Sequence, residues 1–208
     1  MQTRIKICGL TRPEDAVDAG RAGVDAVGLV FHPPSPRNLP PEQAVSLVQA
    51  VPPFVTVVGL FMNAKADWIR RCLDTVSLDV LQFHGNEPAA FCRSFGRRYI
   101  KAVAMGAVHN PSAYVQDFPD ASGFLFDSHG GERMGGTGER FEWSRLPTGL
   151  KTPLILAGGL NPENVAEGVR QVRPYAVDVS SGVESAKGIK SADRIAEFVR
   201  GVKRGEAG

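Results

Sequence analysis

Short apolar runs recur along the chain, separated by polar stretches that carry helix signals. The runs cover residues 4–8 (RIKIC), 25–30 (DAVGLV), 54–60 (FVTVVGL), 79–83 (DVLQF), 99–104 (YIKAVA), 123–127 (GFLFD), 153–157 (PLILA) and 175–179 (YAVDV). Several are almost continuously apolar, as expected of parallel strands covered on both faces. Helix signals lie between them. Thr11, Pro13 and Glu14 read as a helix start, with Thr11 as cap. Asn63 precedes a helical pattern over 64–76, with Ile69, Cys72, Leu73 and Val76 on one face. Asn161-Pro162-Glu163 opens another helix over 164–169. Ser191 opens one over 192–199, which Gly201 is expected to stop. The 105–122 connection, with Gly106, Pro111 and Pro119, has room for one stunted helix.

Eight strands, each followed by a connection, predict a compact single-domain (β/α)8 barrel over residues 1–208. Dividing 208 residues by eight leaves 26 per unit, so some helices must be short. An open doubly wound sheet is the alternative, although such sheets usually have fewer strands. No Pro/Ser linker divides the chain, and the last residues, RGEAG, are expected to fray.

Composition narrows the function. Apolar residues make up 43%, enough for a sizeable core. The net charge of +2 comes from 24 basic and 22 acidic residues, interspersed, which leaves no basic face for nucleic acid. Three widely spaced cysteines cannot form a disulfide framework, so the cytoplasm is the simplest compartment. Lys6 interrupts any signal-peptide core, and no run approaches the roughly 20 apolar residues of a membrane span.

In a barrel of this kind, chemistry is built at the C-terminal strand ends. That rule yields Cys8, then His32 and Arg37 in the loop FHPPSPRNL, Asn63, Gln82 and His84, Asp127, Gly158-Gly159, and Ser180-Ser181-Gly182. The last two groups, in ILAGGLNPENV and DVSSGVE, offer glycine backbone and hydroxyls beside a helix N-terminus, which suits a phosphate. Two ordinary turns would look similar alone, but the loops after strands 7 and 8 are a frequent phosphate site. No GxxxxGK[ST] occurs, nor a GxGxxG that opens a helix, so a nucleotide is not expected. Asp127 leaves a very apolar strand and is either a general acid or a turn cap. The stretch SHGGERMGGTGERFEW, with five glycines in 128–143, reads as a loop able to close over a ligand. Arg37 is either a two-point carboxylate partner or a solvated loop arginine. Histidines 32, 84, 109 and 129 show no metal-ligand spacing. Cys72 and Cys92 read as buried helix residues. Cys8 is a buried packing residue or a reactive thiol, and a reactive thiol needs its proton affinity lowered by donors or by the helix that starts just beyond it.

These strand ends resemble the phosphoribosylanthranilate isomerase family of tryptophan biosynthesis. The resemblance rests on KICGLT (6–11), GLVFHPPSPRNL (28–39), LQFHGNE (81–87), FDS (126–128), GGTGERFEW (135–143), LAGGLNPENV (156–165) and DVSSGVE (178–184). Phe83 stands where an aliphatic residue is common, and Glu142 where aspartate is usual. The resemblance implies a barrel of the ribulose-phosphate-binding type and an internal Amadori rearrangement of N-(5-phosphoribosyl)anthranilate. It makes Cys8 the base and Asp127 the acid. It places Gly158, Gly159, Ser180, Ser181 and Gly182 on the phosphate, and Arg37 on the anthranilate carboxylate, with Gln82 and His84 among the substrate-binding residues. The roles of Glu132 and Arg133 stay open. The implied chemistry has no redox step, so no NAD, flavin, metal or pyridoxal is expected. The implied partner is a small phosphosugar, with no nucleic acid or membrane, and the chain is expected as a monomer or homodimer.

Overall fold

A computed structural model describes residues 2–128 and 141–208. Eight parallel strands close into a barrel in sequence order: β1 (Arg4–Cys8), β2 (Ala26–Val30), β3 (Thr56–Phe61), β4 (Val80–Phe83), β5 (Tyr99–Ala104), β6 (Gly123–Asp127), β7 (Leu154–Leu156) and β8 (Ala176–Val179). The closing pair sets Ile5 against Val177 and Ile7 against Val179. That pairing removes both edges and rules out the open-sheet alternative. Every expected strand is present to within two residues. Between the strands lie α1 (Pro13–Ala22), α2 (Pro41–Gln49), α3 (Ala66–Thr75), α4 (Ala89–Arg93), α5 (Pro111–Tyr114), α6 (Val165–Val172) and α7 (Ala192–Glu206). The short α5, continued by a 3-10 turn at Val115–Asp117, is the stunted helix expected in the 105–122 connection. No helix among the described residues is long and apolar enough to cross a membrane.

Strand alternation sorts side chains into two layers. Ile5 and Ile7 point outward into the main core beneath the helices, as do Val177 and Val179. The other set faces the barrel interior, where Ala102, Leu125, Ile155, Ala157 and Ala176 form a separate small cluster. Lys6, Cys8 and Asp178 share that inward phase. Phe83 points outward and contacts Phe91, Phe95 and Tyr99, with ring centroids 5.9 to 6.1 Å apart. An aromatic ring is therefore used where an aliphatic residue is common.

Several element ends differ from the sequence expectation. Arg12, not Thr11, occupies the cap position of α1, and its side chain does not cap. Thr11 Oγ1 instead donates to the Gly188 carbonyl at 2.5 Å, drawn away by an antiparallel hairpin, β9 (Glu184–Ala186) and β10 (Ile189–Lys190). Asn63 does not cap α3: its carboxamide oxygen accepts from the Asn86 N–H at 2.8 Å. Ser191 does cap α7, accepting from the Arg194 N–H. Gly201 does not stop α7. A Cβ at 201 would lie 2.6 Å from Val165 Cγ1, so the glycine is a contact point between α6 and α7. The C-terminal turn is not frayed either. Gly205 is buried against Val169, and the Thr3 N–H donates to the Glu206 carboxylate, tying the chain end to the start of β1.

Candidate active site at the carboxyl end of the barrel

Cys8 ends β1 and is only 5% exposed. Two residues back on the same face, Lys6 extends its ammonium to Asp178 Oδ1 at 2.8 Å, with both groups buried. Burial pushes the Cys8 thiol above its ordinary pKa. Lys6 and Lys190 pull it down and Asp178 adds to the rise, so burial prevails. The sequence expectation of donors lowering the thiol therefore meets a net shift in the opposite direction. Burial also opposes the Lys6 charge, but Asp178 and Cys8 outweigh it and keep Lys6 protonated above the usual lysine range. Cys72 and Cys92 are fully buried in α3 and α4, and burial pushes each up to about 12. They are buried helix residues, as expected.

Arg37 is not a solvated loop arginine. Its Nε donates to Glu184 Oε1 at 2.6 Å and its Nη2 to Oε2 at 2.8 Å. Glu184 also takes the Lys190 ammonium at 2.9 Å, and Lys190 reaches the Ser180 carbonyl at 3.1 Å and its hydroxyl at 3.3 Å. Burial would raise the Glu184 carboxyl, but the two cations hold it below the usual carboxylate range. Burial lowers Lys190. The expected role of Arg37 toward a carboxylate thus keeps its outer edge, the two Nη1 hydrogens and the second hydrogen of Nη2. Nothing in the local pattern pointed to Lys190, and Glu184 showed only as the end of SSGVE. The hairpin that carries this pair follows a turn too irregular to read from periodicity.

On the other side of the mouth, Asp127 ends β6, and its Oδ2 lies 3.5 Å from His84 Nε2. Gln82, fully buried on β4, donates from Nε2 to His84 Nδ1 at 3.0 Å. With Nδ1 accepting, Nε2 carries the ring proton and turns it toward Asp127. Gln82 Oε1 is buried and finds no partner among the described residues. The loop behind His84 is pinned by Glu87, whose carboxylate accepts from the Asn63 N–H at 2.6 Å and the Gly85 N–H at 3.0 Å. The buried Lys101 ammonium balances that carboxylate at 2.9 Å.

The loops after β7 and β8 interlock. Gly158 and Gly159 both have positive φ, at 80° and 66°. A Cβ on Gly158 would come within 2.5 Å of the Ser128 nitrogen, and one on Gly182 would overlap the Leu160 carbonyl. Only bare backbone allows both approaches. The Gly159 carbonyl is turned away to accept from Asn164 Nδ2 at 2.8 Å. Asn161 Oδ1 accepts from the Glu163 and Asn164 N–H groups, fixing the entry to α6. Ser181 and Gly182 start a 3-10 turn, whose first N–H groups have no partner within the turn. The five expected anion-binding residues are thus brought together, next to the N-terminus of α6. In the closed strand order these loops lie between the end of β6 and the end of β1, that is, between Asp127 and Cys8. Of the glycine-rich stretch expected to close over a ligand, residues 129–140 lie outside the described residues, and with them His129, Glu132 and Arg133.

A model of the N-(5'-phosphoribosyl)anthranilate isomerase family matches residues 5–201. The chain is similar to the isomerase of that name from Halorhodospira halophila, with 55% identity over 99% of each chain. It is similar to the structure of phosphoribosyl anthranilate isomerase from Thermotoga maritima, with 40% identity, a TM-score of 0.88, and coverage of 97% of this chain and 99% of that one. A further structure concerns monomers of that enzyme, which is dimeric. A third relative, at 37% identity and a TM-score of 0.80, covers 97% of this chain and 99% of its own, and holds reduced 1-(o-carboxyphenylamino)-1-deoxyribulose 5-phosphate. The barrel, its rim and these likenesses agree: the chain belongs to the N-(5'-phosphoribosyl)anthranilate isomerase family.

Proposed function

We propose that Cys8 and Asp127 are the base and acid that convert N-(5'-phosphoribosyl)anthranilate to 1-(2-carboxyphenylamino)-1-deoxyribulose 5-phosphate in this protein. The observation that carries the reading is their placement: they end β1 and β6, with the two interlocked glycine loops between them on the same rim. A phosphate seated on Gly158, Gly159, Ser180, Ser181 and Gly182 holds the ribose with one carboxyl and one thiol on its two flanks. Backbone N–H groups and the α6 dipole favour that dianion without a fixed positive side chain.

The protonated Asp127 carboxyl gives its proton to the ribose ring oxygen as the C1–O bond breaks. The anthranilate nitrogen supplies the electron pair, leaving an iminium. The Cys8 thiolate then takes the C2 proton, and the C–H electrons neutralise the iminium to an enolamine. Tautomerisation puts a proton on C1 and leaves the ketone at C2. The iminium is the electron sink, so the bond changes need no outside acceptor. His84, aligned by Gln82, holds the Asp127 carboxyl toward the mouth. Arg37, fixed by Glu184, presents its outer edge to the anthranilate carboxylate.

The partner is a small phosphosugar, and residues 1–208 act as one barrel domain. Three free thiols suit a cytoplasmic location. A homodimer is favoured by Phe54, 97% exposed at the N-terminal face near Arg98 and Tyr175, and by the dimeric state of the Thermotoga relative. Sedimentation distinguishes it from a monomer. Turnover of the anthranilate substrate by the purified protein, with Cys8→Ser and Asp127→Asn alongside, tests the reaction and both assignments. Full activity in either variant removes that residue from the mechanism.

A further inference from the structure

A thiol buried to 95% is a poor place for negative charge, yet the proposed reaction requires a thiolate there. The interior of the barrel supplies one answer. Lys6 and Cys8 are two residues apart on β1, so both side chains enter the barrel, and Cys8 pairs in register with Gly28 on β2. A Cβ at Gly28 would lie 2.8 Å from Cys8 Sγ and 3.1 Å from Lys6 Nζ. The sulfur and the ammonium therefore crowd the same bare backbone position, which any other residue would fill. On its far side Lys6 is held by Asp178 of β8, in register with it and 2.8 Å away.

We propose that Lys6 is the positioning residue that lets Cys8 carry its negative charge, its ammonium shared between the Asp178 carboxylate and the sulfur above the bare face of Gly28. This rests on the reading of Cys8 as the base. In the resting site Asp178 holds the ammonium and the thiol keeps its proton. When the thiolate forms, the same ammonium faces it, and no charge has to be brought in from solvent.

Other charged groups face Cys8. Arg37 lies in the loop after β2 and Lys190 on β10, and both act on the sulfur through their charge. Glu184 binds each of them directly and offsets part of their charge, as Asp178 does for Lys6. Lys6 differs in its partner, because Asp178 itself opposes the thiolate. Removing either member of the Lys6–Asp178 pair should then move Cys8 in opposite directions, which a purely structural pair would not do.

The experiment follows the ultraviolet absorbance of the Cys8 thiolate against pH, taking the difference from Cys8→Ser in the same background. It compares wild type, Asp178→Asn, and Lys6→Met/Asp178→Asn. The rising limb of kcat/KM is recorded for each. Asp178→Asn is expected to move the Cys8 titration to lower pH. Adding Lys6→Met is expected to move it back up, leaving about tenfold less thiolate at a fixed pH below the transition. Replacing a buried ion pair with neutral groups of similar volume is tolerated in many proteins, so the double variant is expected to fold. If it does not, the downward shift in Asp178→Asn alone carries the test. Coincident titrations in the two variants, or no shift in Asp178→Asn, overturn the proposal. If the absorbance shifts as expected while the kcat/KM profile keeps both its position and its height, Lys6 is confirmed as counter-ion and it is the role of Cys8 as base that falls.

Discussion

Arg37 and Glu184 meet in a two-point contact, Nε to Oε1 at 2.6 Å and Nη2 to Oε2 at 2.8 Å. The pair joins the loop after β2 to the turn after β8, across the top of β1. Glu184 is also the partner of Lys190, which holds Ser180. The groups expected to read the two ends of the substrate, its carboxylate and its phosphate, are thus tied to one carboxylate.

Because of that tie, Arg37→Ala and Glu184→Gln should damage binding through the same contact. Each is expected to raise KM for the anthranilate substrate more than it lowers kcat. A hydrogen bond to a charged group is worth ~1.5–3 kcal/mol, or roughly 10–150-fold. The double variant should lose clearly less than the product of the single losses. Steady-state kinetics on the four proteins measure this. Strict additivity would mean that Glu184 does not act through Arg37.

Asp127→Asn should cut kcat by about 10²–10⁴-fold, the usual cost of losing a general acid. Asparagine keeps the shape and can still meet His84, so affinity for product should change little. Equilibrium binding of the product separates the two effects. A weakened product complex with near-normal turnover would make Asp127 a binding group.

The barrel was legible because eight short strand-like runs recur along the chain and several are almost continuously apolar, as double-sided burial requires. Local capping was less legible. Thr11 and Asn63 carry the right chemistry for caps, but tertiary partners, Gly188 and Asn86, claim their side chains. Gly201 reads as a stop signal in one dimension and works as a helix contact in three. At the candidate site, the strand-end rule picked out Cys8, Asp127, His84 and the two glycine loops, all of which lie at the carboxyl end of the barrel. It missed what surrounds them. Lys6 and Lys190 look like ordinary surface charges in sequence, and only closure of the barrel for the first and the β9–β10 hairpin for the second reveal that each ammonium is buried beside a carboxylate. Lys101 is the same case on the outer face of β5.

The pH dependence of activity follows from the Cys8 shift. Burial holds the thiol above its ordinary value, so at neutral pH the protonated form, which cannot act as the proposed base, dominates the free enzyme. The thiolate fraction grows as pH rises. Accordingly kcat/KM should increase with pH, approaching tenfold per pH unit, for as long as Asp127 keeps the proton it must donate and Cys8 remains mostly protonated, and should level off where Asp127 loses it. Cys8→Ser should abolish that limb along with nearly all activity, since a serine hydroxyl is a far weaker acid. A kcat/KM profile whose position and height ignore changes in the Cys8 titration would show that the thiol proton does not limit the reaction. Alkylation of wild type should inactivate in step with the same limb. Cys72 and Cys92, pushed up to about 12, should react far more slowly.

Glu87 provides a test of stability in place of chemistry. Its carboxylate holds the Asn63 and Gly85 N–H groups and the fully buried Lys101 ammonium at 2.9 Å. Removing one member of a buried pair leaves the other charge without compensation, at a typical cost of about 3–5 kcal/mol. Glu87→Ala should therefore lower the urea midpoint sharply. It should also loosen the loop that presents His84, so that turnover falls even where the variant is folded. Glu87→Gln/Lys101→Met removes both charges at nearly constant volume, and the amide can still accept one backbone N–H. That double variant should recover much of the lost stability. The loop would still have lost half of its anchor, so activity should recover less than stability does. Equal recovery of both would mean that Glu87 serves the fold alone. No loss in Glu87→Ala would mean that the buried pair contributes nothing beyond what its desolvation costs.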